Sequence, residues 1–270
     1  MLIDTHCHLD AGEFNETAEQ LAGQAHASGV EAIVIPAVCV ANFDAVTQLG
    51  KYGGYALGIH PLYVPDASED DLRILRERVE VAMADPNFVA IGEIGLDFFV
   101  PALCTPAMRE RQSYFYREQL RIAKHFALPV LLHVRRSVDP VLKGLRQFGL
   151  TGGIAHAFNG SAQQAAQLIE LGFRLGFGGA MTYTRALQIR RLAAELPLAA
   201  IVLETDAPDI APSWLHDQPN SPGQLVRIAA TLAQLRGMSE QEVAIATTDN
   251  ALAVLPRLRH ASVINRNADG

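Results

Sequence analysis

The chain has 270 residues, 49% of them hydrophobic and 19% charged, with a formal net charge of −7. That is enough apolar material for a barrel of about 250 residues folded as one domain. The negative balance excludes a broad basic surface gripping many phosphates, and no apolar run approaches the roughly 18 residues that a membrane span needs.

The first predicted strand, 2–5, follows Met1 directly, without the basic and then apolar stretch of a signal peptide. Further short apolar, β-branched runs follow at 32–36, 56–59, 89–92, 130–132, 153–155, 173–177 and 200–203. Longer amphipathic stretches separate them, the alternation expected of βα units with a parallel sheet. Ser68 ahead of Glu69, Asp70 and Asp71 marks a helix start. Thr105-Pro106 supplies a cap and a first-turn proline to a helix running to about Phe126. Ser161 and Ser239 are further caps, and Ser239 with Glu242 fits a capping box. Eight strands, each followed by a helix, predict a single (β/α)8 TIM barrel over 1–256, although an open doubly wound sheet shares this periodicity. The stretch 257–270 has little apolar content and is expected to be a loosely held C-terminal tail. Three widely spaced cysteines, Cys7, Cys39 and Cys104, fit reduced thiols and a cytoplasmic protein.

Ionisable residues gather at the C-terminal ends of these strands, the end from which barrels build active sites. They are His6, His8, His60, Glu93, His133, His156, Glu204 and Asp206. His6 and His8 share one face of their strand, so both imidazoles can bind one divalent ion; taken alone, the spacing also suits two hydrogen-bonded core histidines. Glu93, between Gly92 and Gly95 after an apolar strand, can bridge two ions, and His133 and His156 would complete a second site with it. Imidazole with carboxylate suits zinc, manganese or similar ions. Asp206 can bind the first ion and accept a proton from water. Glu204 either supports a ligand or belongs to an additional, weaker metal site. Asp97 is expected to cap or orient the following loop. His60 and Arg135 can stabilise negative charge on a substrate, with a surface ion pair as the alternative for Arg135.

Six motifs then resemble the TatD family of metal-dependent hydrolases. They are His6-Cys7-His8, Gly58-Ile59-His60-Pro61, Gly92-Glu93-Ile94-Gly95-Leu96-Asp97, Leu132-His133, His156-Ala157-Phe158-Asn159-Gly160-Ser161 and Leu203-Glu204-Thr205-Asp206-Ala207-Pro208. The blocks run in order from residue 3 to about 255. Arg135-Arg136 and the stretch 101–108 are closest to the family's YjjV-like branch. The resemblance implies an amidohydrolase-like TIM barrel with metal ligands at His6, His8, Glu93, His133, His156 and Asp206. It also implies magnesium-dependent deoxyribonuclease activity.

Two chemistries compete for this residue set. The first is hydrolysis of phosphodiesters at nucleic-acid ends or in small molecules, with two divalent ions (Mg, Mn or Zn), water as nucleophile and Asp206 as general base. The second is hydrolysis of a small ester, amide or lactone, including an aminoacyl ester on tRNA. A non-catalytic barrel should have lost part of the ligand set. No membrane and no obligate protein partner are expected.

Overall fold

The computed structural model describes residues 1–215, 218–261 and 264. Its eight strands are β1 (Leu2–Asp4), β2 (Val30–Pro36), β3 (Gly53–Leu57), β4 (Phe88–Asp97), β5 (Val130–Arg135), β6 (Gly153–Ala155), β7 (Phe173–Phe177) and β8 (Ile201–Leu203). All pair in parallel and in sequence order. Helices α1 (Ala18–Ala27), α2 (Phe43–Leu49), α3 (Glu69–Ala82), α4 (Pro106–His125), α5 (Val138–Phe148), α6 (Ala162–Glu170), α7 (Leu187–Glu195), α8 (Leu225–Arg236) and α9 (Glu240–Val254) fill the connections, two of them following β8. None among the described residues is long and apolar enough to cross a membrane.

The expected helix starts are present. Ser68 and Asp71 form a reciprocal capping box, as do Ser161 with Gln164 and Ser239 with Glu242. Thr105 accepts the Met108 N–H ahead of Pro106. Such caps satisfy backbone donors that the first turn leaves free.

The two ends of the strand order meet, which decides between a barrel and an open sheet. Thr5 N–H donates to Leu203 O at 3.1 Å and Asp206 N–H to His6 O at 2.8 Å. The buried Asp4 carboxylate accepts the Thr205 N–H at 2.9 Å and the Thr205 hydroxyl as well. This seam locks the two segments that carry His6, His8 and Asp206.

Alternate strand residues sort into two apolar clusters, as a period of two requires. Ile33, Ile35, Leu57, Leu132 and Phe173 pack with Leu75, Phe115 and Leu120 of the helices. Ala32, Val34, Ala56, Leu131, Ile154 and Val202 pack instead with Leu255, Leu258 and Ala261. The second cluster fills the lower barrel, and the chain's C-terminal segment closes it. The tail expected from 257 therefore begins as a packed turn: Arg257 donates to the carbonyls of Phe88, Met83 and Asp85. Apart from Ile264, its remainder lies outside the described residues.

Strand β4 departs from the expected boundary. It was expected to stop at 92 but continues to Asp97, in register Ile94↔Leu132 through Asp97↔Arg135 with β5. Gly95 makes this possible. Its φ is +147°, and a Cβ there would lie 2.0 Å from His133 O. The close approach sets Glu93, Asp97 and His133 side by side.

Candidate metal centre

The strand ends surround a cavity of about 1120 Å³, with Glu93 at its base. Each oxygen of that carboxylate faces its own set of imidazoles. Oε2 lies 3.2 Å from His6 Nε2 and 3.4 Å from His8 Nε2. Those two nitrogens are 3.3 Å apart, and Asp206 Oδ1 is 3.7 Å from each. Oε1 lies 3.0 Å from both His133 Nδ1 and His156 Nε2 and 3.3 Å from His60 Nε2.

These separations suit cations. Ligands about 2.1 Å from a common ion stand roughly 3.0–3.4 Å from one another. Two imidazole nitrogens 3.3 Å apart can share only one proton between them, and Glu93 Oε2 and Asp206 Oδ1 press on the same space. A divalent ion held by His6, His8 and Glu93 would relieve this crowding. Three overlapping groups of potential ligands result: His6, His8 and Glu93; His6, His156 and Asp206; and His60, Glu93 and His133.

His60 falls in the last group by distance, but its hydrogen bonding argues against ligation. Its Nδ1 accepts the Leu62 N–H at 3.1 Å, so the ring proton of the neutral form sits on Nε2. Burial holds the ring neutral, pushing its pKa down to about 4 despite the pull of Glu93. His60 thus points an N–H, not a lone pair, into the centre. His133 is arranged the other way. Its Nε2 donates to Asp97 Oδ2 at 3.1 Å, so in the neutral ring the Nδ1 lone pair faces the centre, 3.0 Å from Glu93 Oε1.

Charge follows the same pattern. Burial alone would raise Glu93, but the imidazoles of His60, His156 and His6 outweigh it and hold the carboxyl well below its ordinary range. His6 is pushed down to about 3 by burial and by the neighbouring His156 ring, stacked on it at 3.9 Å. Burial opposes protonation of His8 too, yet Glu93 and Asp206 raise it to about 8. Without cations, protons on some of these rings balance the carboxylates. Bound cations would displace those protons. Burial also raises Asp206 to about 6, against the pull of His156 and His8. Its backbone is left-handed, with φ of +56°, a conformation sparsely populated by residues with a Cβ and held here by the bond to His6 O.

Glu204 sits behind the centre. Its Oε1 accepts the Ala157 N–H and lies 3.7 Å from His156 Nδ1, while Oε2 is buried without a hydrogen-bond partner among the described residues. The absence of a side chain at Gly176 makes room for it, since a Cβ there would lie 2.1 Å from Glu204 Oε2. Among the described residues it joins none of the ligand groups. Cys7 is buried in the core with its Sγ toward Ala207 O.

Asp97 does more than the sequence discloses. Its Oδ1 caps the next loop by accepting the N–H groups of Phe99 and Val100, at 2.8 and 2.9 Å. Its other oxygen orients His133. Partners of this kind fix the tautomer of a metal-binding imidazole. Asp97→Asn removes one of these acceptors, so metal affinity should fall about 10- to 100-fold, measured by metal titration. Unchanged affinity would leave Asp97 a loop cap only.

Arg135 lies at the cavity mouth with its guanidinium 3.8 Å from the Phe99 ring centre. Neither it nor Arg136 pairs with a carboxylate among the described residues, so the surface ion pair considered for Arg135 is absent. Arg136, 4.6 Å from the same ring and left-handed at φ +55°, was not anticipated as a site residue. Its place in the Arg135-Arg136 pair was the signal that could have found it.

A family model described as TatD related DNase matches residues 3–256. The metal-dependent hydrolase YjjV of Escherichia coli K12 is 40% identical over 254 residues, covering 92% of this chain and 95% of that protein. The human deoxyribonuclease TATDN3 is 32% identical over 269 residues, covering 96% of each. The crystal structure of E. coli YjjV matches with a TM-score of 0.88 at 38% identity, covering 94% of this chain and 98% of that one. A mutant phosphotriesterase-like lactonase from Deinococcus radiodurans, with a TM-score of 0.63 at 15% identity over 94% of this chain and 95% of that one, shares the fold.

Proposed function

The chain belongs to the TatD family of metal-dependent hydrolases, and from that premise we propose that it hydrolyses phosphodiester bonds at nucleic-acid strand ends. The observation that carries this choice is the pair of guanidinium groups of Arg135 and Arg136, without a carboxylate partner among the described residues, beside the Glu93 centre in one cavity. A phosphodiester brings one negative charge to that space; a lactone brings none. The deoxyribonuclease named among the relatives supports the same reading.

His6, His8, Glu93 and Asp206 would hold one divalent ion, and Glu93, His133 and His156 a second, with Mg, Mn and Zn all compatible with nitrogen and oxygen donors. Bound there, the ions would acidify water and neutralise phosphate oxygens. The protein's own groups do the rest. Asp206 accepts the proton of the attacking water as general base. The Nε2–H of the neutral His60 ring donates a hydrogen bond to a substrate oxygen. Arg135 binds the phosphate through the edge of its guanidinium. Action in the cytoplasm is consistent with the free thiols of Cys7, Cys39 and Cys104.

Parallel assay of the metal-loaded protein on single-stranded DNA, RNA, small phosphodiesters, lactones and aminoacyl esters tests the proposal. Preferred turnover of a strand end supports it; preferred turnover of a lactone or aminoacyl ester overturns it. Arg135→Ala should keep the metal content and lose phosphodiester activity about 10- to 150-fold, equivalent to about 1.5–3 kcal/mol for a hydrogen bond to a charged group. A neutral ester should show no comparable loss. Loss of metal instead would make Arg135 a structural residue.

A further inference from the structure

The cavity mouth concentrates exposed apolar side chains. Of the eight large hydrophobic residues that are exposed among those described, Leu62, Tyr63, Phe99 and Ile210 line this one cavity. Clustered exposure of this kind marks a binding surface. Phe99 differs from the other three in its company. It is 41% exposed, and the guanidinium groups of Arg135 and Arg136 lie 3.8 and 4.6 Å from its ring centre.

We infer that Phe99, piled with Arg135 and Arg136, is a stacking platform for the nucleobase beside the phosphodiester to be cleaved. The inference rests on the phosphodiesterase reading and adds the part of the substrate that is read. A guanidinium stacked on an aromatic ring keeps its in-plane N–H groups free, so the same arginines can hold the flanking phosphate. A base has a π-face whatever its identity, and it extends such a pile without sequence preference.

The platform is tied to the centre by one carboxylate. Asp97 Oδ2 holds His133, and Asp97 Oδ1 accepts the N–H of Phe99. Arg135 stands opposite Asp97 in the β4–β5 register. Base and phosphate are therefore positioned by the same rigid corner. Because Asp97 grips the backbone of Phe99, replacing the ring leaves this link in place.

Two single-stranded oligodeoxynucleotides of equal length test the inference, both carrying phosphorothioate linkages against cleavage. One bears 2-aminopurine at its terminal positions; the other has base-free tetrahydrofuran residues there. Mn²⁺-loaded wild type should bind the base-bearing strand about 5- to 150-fold more tightly, the range expected for one base–aromatic stack, and should quench the 2-aminopurine. Phe99→Ala, with metal content unchanged, should abolish the preference and the quenching; Phe99→Trp should keep both. Retention of the preference by Phe99→Ala, or its loss in Tyr63→Ala instead, overturns the platform. Wild type that cleaves unmodified strands of both kinds without preferring a base also overturns it and leaves the phosphodiesterase reading intact. Wild type that cleaves no phosphodiester at all removes that reading, and the platform with it.

Discussion

Asp206→Asn should leave the barrel folded and reduce turnover by about 10²- to 10⁴-fold, the usual cost of removing a general base. The substitution keeps the size of the side chain and replaces an anion with an amide that cannot take the proton. The backbone makes it a clean experiment. Asp206 is left-handed, and asparagine is among the few residues that adopt this conformation readily. The Asp206 N–H bond to His6 O is unaffected, so the β1–β8 seam should survive. Thermal melting with single-turnover kinetics checks both halves of the expectation. Near-wild-type activity would place the base elsewhere. Glu204 is the next candidate, although its Oε1 is already engaged by the Ala157 N–H.

Glu93→Gln should have the larger effect on the metals. The carboxylate is within 3.0–3.4 Å of nitrogens on His6, His8, His60, His133 and His156, and each oxygen serves a different side of the centre. Losing its charge removes a ligand from both proposed sites and the counter-charge of the surrounding rings. Both ions should be lost together and activity should fall below detection. Glutamine is nearly isosteric, so circular dichroism should show a folded protein. If Glu93→Gln keeps its full metal content, the carboxylate does not bridge.

Much of this centre was legible because barrel chemistry sits where apolar runs end. His133 and His156 follow 130–132 and 153–155 directly, and β6 has the expected bounds. The adjacent reach of Glu93 was only partly visible. Glycines at 92 and 95 look like the end of a strand, because their weak β-propensity hides the fact that β5 approaches too closely for a side chain. The Asp4–Thr205 contact spans a separation of 201 residues, which no local pattern reports. Asp97 showed its loop-capping role through its position. Its bond to His133 depends on the β4–β5 register, which only the three-dimensional structure supplies. The same holds for Phe99, an ordinary loop aromatic in sequence that the fold sets against two arginines.

The most direct test is the number of divalent ions in gently purified wild type, measured by elemental analysis against protein concentration. Glu93 offers one oxygen to His6 and His8 and the other to His133 and His156, so two ions per chain are expected, one of them lost in His133→Ala and in His156→Ala. A single ion per chain, retained at full activity in both variants, would contradict a two-metal centre.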